Sequence, residues 1–246
     1  MSHAELKPKR VPGKSKRPYA AAAKTIDVGC LTLLRFEPDI RGHQQRSSES
    51  QARIIKAATQ AFTTRGYDDI STYELAAAAG VAQGLIAYHF KTKEGVWRAA
   101  MDQVFGEFRN NLAERIEALR HNDLRTFMWE LIRHVVALEI HYPSRIRLMV
   151  ESAHQSHGHL RWLVERHVKP IYEVMTHLLA VGQKHKVLRN LPVANAYYVL
   201  LTSGAVFSLG NEIDLVTNID GKSPAFVEAH IRCLAGMLMI EPPTAA

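Results

Sequence analysis

A chain of 246 residues, 47% of them hydrophobic and 22% charged, has the size and make-up of a soluble globular protein of one large or two modest domains. No stretch approaches the roughly 18 uninterrupted apolar residues of a membrane span, and the basic start lacks a small-residue cleavage site, so neither insertion nor secretion is expected. Cys30 and Cys233 are too few for a disulfide framework or a cysteine metal site, which suits a reducing cytoplasm. The net charge of +7 is concentrated: residues 1–46 hold ten Lys/Arg against four Asp/Glu, residues 47–100 six against five, and residues 101–246 fifteen of each. A basic tail on a neutral body suggests attraction to a polyanion, nucleic acid being the usual one, with a merely solubilising extension as the alternative.

Residues 1–25, rich in Pro, Lys and Arg, read as disordered. Across 26–46, Ile26, Val28, Leu31, Leu33 and Leu34 suggest a short element with no evident partner, so 1–46 is expected to be a basic, disordered extension. From Ser48 the pattern turns helical. Ser48 with Gln51 reads as a capping box, Ile54, Ala58, Ala61 and Phe62 fall on one face, and Gly66 ends the helix. Ser71 with Glu74 is a second capping box, opening a short helix through Ala79 that Gly80 can close in a left-handed conformation. A third short helix runs to about Phe90. Thr92 then caps a long fourth helix with an apolar face of Trp97, Met101, Val104, Phe105, Phe108 and Leu112. Further helices are expected over roughly 124–141, 144–155, 160–185, 193–211 and 224–239, with Pro143, Pro192 and Pro224 at or near their starts. Strand alternation and internal repeats are missing, so the fold class is all-α.

Two helices that cross steeply need a small residue where they touch and a turn that tolerates positive φ. Ala76 and, four residues on, Gly80 supply these, while Leu75, Val81 and Ile86 can lock the second helix against the first. The spacing is that of a helix-turn-helix between about Thr72 and Phe90, whose second helix can enter a major groove. In Ala57-Ala58, Phe62, Gly66-Tyr67, Leu75-Ala76, Ala79-Gly80-Val81, Gly84, Ile86, His89-Phe90 and Lys93-Glu94, the stretch 48–105 resembles the TetR family of bacterial regulators.

The resemblance implies an N-terminal three-helix DNA-binding domain over 47–95, followed over 96–241 by a helical bundle that binds a ligand and dimerises. The implied partners are duplex operator DNA, a small-molecule effector and a second copy of the chain; no cofactor and no metal is expected. The expected DNA-facing set is Thr72, Tyr73, Gln83, Gly84, Leu85, Tyr88, His89 and Lys93. The family usually carries hydroxyl or small residues where Ala82 and Leu85 stand, and often a tyrosine at the place of Ala87. This recognition helix therefore has fewer donors, which a basic tail can offset by neutralising phosphates.

Trp129, Trp162, His167, Tyr172 and Met175 are the candidates to line a ligand cavity. Ser203, Gly204 and Phe207, with Ala229, Cys233 and Gly236, form two rows of largely small residues suited to close helix approach, the expected dimer interface; packing within one subunit is the alternative. Among the thirteen histidines, His154, His157 and His159 are close in sequence, but Gly158 interrupts the helix that would align them as metal ligands. No nucleophile-elbow, zincin, Walker or dinucleotide fingerprint appears, so no enzyme activity is expected. A sequence-independent DNA-coating protein is the remaining rival to a regulator.

Overall fold

The computed structural model describes residues 26–37, 45–154 and 158–243; the disorder expected of residues 1–25 concerns residues outside these. Helix α1 (Gln45–Arg65) begins upstream of Ser48, so the Ser48–Gln51 pair is not its cap. Gln51 is buried instead: the same spacing occurs inside a helix, and no local rule separates the two. Ile54, Ala58 and Phe62 point inward as spaced, and Gly66 ends the helix at φ +84°. Glycine is needed there for conformation; a Cβ would lie 2.6 Å from the Glu151 carboxylate, a flexible side-chain end that can give way.

Helices α2 (Thr72–Ala79) and α3 (Gly84–Phe90) follow, then α4 (Lys93–Leu119), capped as expected by Thr92, whose hydroxyl accepts from the Gly95 amide at 3.0 Å. Gly95 is a close-approach glycine. A Cβ on it would stand 2.1 Å from the Phe90 carbonyl oxygen, where the start of α4 crosses the end of α3.

Beyond α4 lie α5 (Leu124–His141), α6 (Ser144–His154) and α7 (His159–Leu163). Helix α7 continues through one π-helical turn, Val164–Val168, into α8 (Lys169–Lys184). The run expected at 193–211 is not one regular helix. It is α9 (Val193–Thr202), a 3-10 stretch Ser203–Leu209 and α10 (Gly210–Thr217). Helix α11 (Pro224–Leu238) opens with Pro224 after a Ser223 cap. Among the described residues the one β feature is an isolated antiparallel bridge, Leu188 to Met239, which clasps the α8–α9 loop to the end of α11.

Two apolar cores share α4. Val96, Trp97, Met101 and Phe105 pack with α1, α2 and α3, and also with Leu148 of α6 and Leu163 of α7. Phe108, Leu112 and Ile116 enter the second core with α5, α8, α9 and α11. The boundary expected at residue 95 is therefore not a break: one rigid helix crosses it, and the first core draws residues from beyond it. The other correction concerns the extension. Residues 26–37 are ordered, with a 3-10 turn at Gly29–Leu33, and Ile26, Leu31 and Leu34 are buried in the second core. Their spacing is too short for a periodic signal, so only the groove beside α4 reveals their partner.

Candidate nucleic-acid interface

Local chemistry sets up the α2–α3 unit. The Ser71 hydroxyl accepts from the Glu74 amide at 3.1 Å, and the Glu74 carboxylate accepts from the Ser71 amide at 2.8 Å. Those bonds, reinforced by Arg65 at 3.0 Å, hold the Glu74 carboxyl at a pKa of about 2. Gly80 takes the left-handed conformation (φ +62°) and sends its N–H back to Ala76 and Ala77. Ala76 is buried at the crossing, and Leu75 and Ile86 lock the pair. Arg53 of α1 donates to the Gly80 carbonyl at 3.4 Å, tying the turn to the first helix.

Helix α3 therefore rests on Ile86 and Phe90, while Gln83, Gly84 and Tyr88 face solvent. Tyr88 is 73% exposed and Tyr73, at the start of α2, 67%. Thr72 and Leu85 are half-buried at the edge of this face. A Cβ on Gly84 would meet nothing, so the backbone there is open to close approach.

Two expected members are engaged within the chain. The His89 ring bonds the Ser50 hydroxyl at 2.8 Å, and burial lowers its pKa. The Lys93 ammonium sits 4.4 Å above the Tyr67 ring and 3.4 Å from the Asp68 carbonyl. Ser50, Arg53 and Gly95 escaped sequence reading. Gly95 alone had a signal, standing where the Thr92 cap bond must close.

The ligand candidates do not converge on an open cavity. Met175 is sealed in the second core, Tyr172 packs edge-on against Tyr197, and Trp129 lies near Arg133. His167 is fully buried and bonded to Asp102 at 2.9 Å; Trp162 is its neighbour, with ring centroids 5.6 Å apart. None of the five lines either of two open clefts. One, of about 510 Å³, lies along residues 26–35 and the end of α4. The other, of about 410 Å³, lies between the end of α1, α6 and the Ser203–Leu209 stretch.

The dimer candidates divide. Gly204 is pressed on α5, where a Cβ would be 1.9 Å from Glu139 Cβ. Phe207 packs against Phe226 and His230, and Ser203 donates to the Leu200 carbonyl. Gly204 and Phe207, on the 3-10 stretch, are buried within the subunit, and Ser203 is half-buried at its start. Ala229, Cys233 and Gly236 are exposed, and a Cβ on Gly236 would meet nothing. His154 bonds its own helix and His159 bonds Glu94, while His157 lies outside the described residues. Among those residues no group of three His, Cys, Asp or Glu side chains is placed to hold a metal ion.

A family profile described as "Bacterial regulatory proteins, tetR family" matches residues 54–100, the unit just built. Over that stretch the chain is similar to regulators of the TetR family. It is 30% identical over 115 residues to the HTH-type transcriptional regulator TtgR of Pseudomonas putida, a match covering 47% of this chain and 54% of that protein. It is 29% identical over 161 residues to the regulatory protein RaaS of Mycobacterium tuberculosis, covering 65% and 70% respectively. The chain thus spans about half the length of TtgR. In fold it is similar to AibR solved with isovaleryl coenzyme A and operator DNA (TM-score 0.61, 17% identity, 79% of this chain and 100% of that one). It is also similar to the ketosteroid regulator KstR2 of Mycobacterium tuberculosis (TM-score 0.58, 15% identity, 82% and 100%).

Proposed function

We propose that the protein is a cytoplasmic, sequence-specific DNA-binding repressor that acts as a homodimer and is released from its operator by a small-molecule ligand. The observation that carries this reading is the finished outer face of α3. Gln83, Gly84 and Tyr88 project from a helix whose inner side is locked by Ile86 and Phe90. A glutamine amide can read an adenine edge bidentately, an exposed tyrosine can bond phosphate, and the bare Gly84 backbone can approach the duplex.

Dimerisation is supported by what the subunit leaves uncovered. The run Val193–Thr217 is long and apolar enough by composition to cross a membrane, yet only 22% of its most apolar window is buried. Leu209, Leu215, Val216 and, past its end, Ile219 are exposed, as are Met237 and Ile240 around the end of α11. A second copy is the partner a TetR-family chain would place there, and it would pair two α3 helices for two half-sites. The ligand acts by favouring the state in which those helices are wrongly spaced.

The test is selection of operator sequences from a random duplex library, followed by gel-shift titration of the winner against unrelated DNA. A preference of roughly 10³ or more supports the regulator. Equal affinity for both would leave a DNA-coating protein.

A further inference from the structure

Helix α3 has seven residues, too few to hold a direction of its own, so its aim depends on how its two ends are held. The start is fixed by the left-handed Gly80 turn. The end is a strained joint. Lys91 takes φ +65° and ψ −48°, and the Thr92 amide donates back to the Phe90 carbonyl at 2.7 Å. That is a γ-turn of the rare positive-φ kind. A residue bearing a side chain stays in such a conformation only where its surroundings over-determine it.

The group that grips this joint is Glu94, in the first turn of α4 and next to Gly95, whose backbone presses on Phe90. Its carboxylate accepts from His159 Nε2 at 2.6 Å, from Arg98 at 2.9 Å and from the Tyr67 phenol. Burial raises the pKa of Glu94, but the bonds from His159 and Arg98 outweigh it and hold the carboxyl below its ordinary range. Ionised, it can only accept, so His159 donates.

His159 opens α7 and is fully buried, its ring stacked on Trp97 at 3.8 Å and edge-on to Tyr67 at 4.5 Å. It is also anchored from behind. His167, eight positions on, bonds Asp102, which stands eight positions after Glu94; each histidine follows its carboxylate by 65 residues. The two bonds are thus in register along α4. Eight residues of regular helix would set the two histidines about 80° apart. One extra residue taken up by the π turn Val164–Val168 cuts this to about 20°, so that both face α4. Past the turn, α8 runs into the second core.

The geometry points to His159 as a positioning residue for DNA recognition: through Glu94 it holds the strained joint on which α3 is mounted. This rests on the proposed DNA reading and deepens it, because the aim of α3 then depends on a residue whose helix is continuous with the second core.

Two variants separate the bond from the packing. His159→Phe keeps a ring on Trp97 and loses the donor; His159→Gln keeps a donor at the place of Nε2. In gel shifts with the full-length chain, His159→Phe should lower affinity for the selected operator about tenfold, commensurate with the strain of one such residue. Affinity for random duplex, which phosphate contacts dominate, should stay within about twofold. His159→Gln should restore the operator affinity, and in a Glu94→Ala background His159→Phe should add no further loss. A second readout needs no DNA. Hydrogen exchange across residues 84–95 should speed up about tenfold in His159→Phe but not in His159→Gln, with residues 54–62 of α1 unchanged. Unchanged exchange across 84–95 overturns the inference, as does equal acceleration in α1, which would make His159 a packing residue only. So does His159→Gln behaving like His159→Phe, or a full loss that persists without Glu94. If the unaltered protein shows no operator preference, the proposed function fails and exchange alone decides whether His159 holds the joint.

Discussion

Helix α3 and the run from α9 to α10 both bury one side, but they leave unlike surfaces to water. The outer side of α3 presents an amide, a bare backbone and a phenol tip, all at ease in solvent. The other presents Leu215 and Val216 at 83% and 74% exposure, with no polar end to hydrate. The first is hydrated as it stands in the single subunit; the second is an exposed apolar patch of the kind that marks an interaction surface.

The largest expected effect breaks the folded side of that contrast. Trp97→Ala empties a fully buried position in the first core and should cost about 3–5 kcal/mol in urea unfolding. Leu215→Ser, on the uncovered face, should leave subunit stability within about 0.5 kcal/mol. Next comes the assembly side. Leu215→Glu with Val216→Glu puts like charges on the face proposed for a second copy, and sedimentation should show the proposed dimer weakened about a hundredfold or more. A dimer that survives would place the interface elsewhere.

Gln83→Ala should lower affinity for the selected operator by about 1–3 kcal/mol and leave random DNA nearly unchanged. Equal losses would make Gln83 a phosphate contact. Ser71→Ala, removing the cap of α2, should cost about 1 kcal/mol in unfolding of the DNA-reading unit.

The smallest effect is on pH. Burial lowers the pKa of His89, and likewise of His134, His167 and His230. A lowered imidazole contributes stability above its unfolded value of about 6.5 that is lost as pH falls through the folded value. Three of the four lie beyond residue 105. Between about pH 7.5 and 5.5, hydrogen exchange corrected for its intrinsic rate should therefore accelerate more in α5, α8 and α11 than in α1 to α3.

Sequence alone determined what local chemistry can specify. The Ser71–Glu74 box, the left-handed Gly80, the Thr92 cap and the 3.6-residue stripe of α4 need only neighbours within a few positions, and the helix-turn-helix is made of such parts. The tertiary structure decided whatever depends on a partner far along the chain. Residues 26–37 become ordered only because α4 and α8 offer them a groove. Gly204 and Phe207 are buried on a 3-10 stretch where periodicity reads a regular helix. Arg109, a charge in the middle of an apolar stripe, lies against Phe36, 73 residues earlier in the chain. Backbone propensity acts over one or two helical turns, whereas a buried charge is settled by whichever groups the completed fold brings within reach.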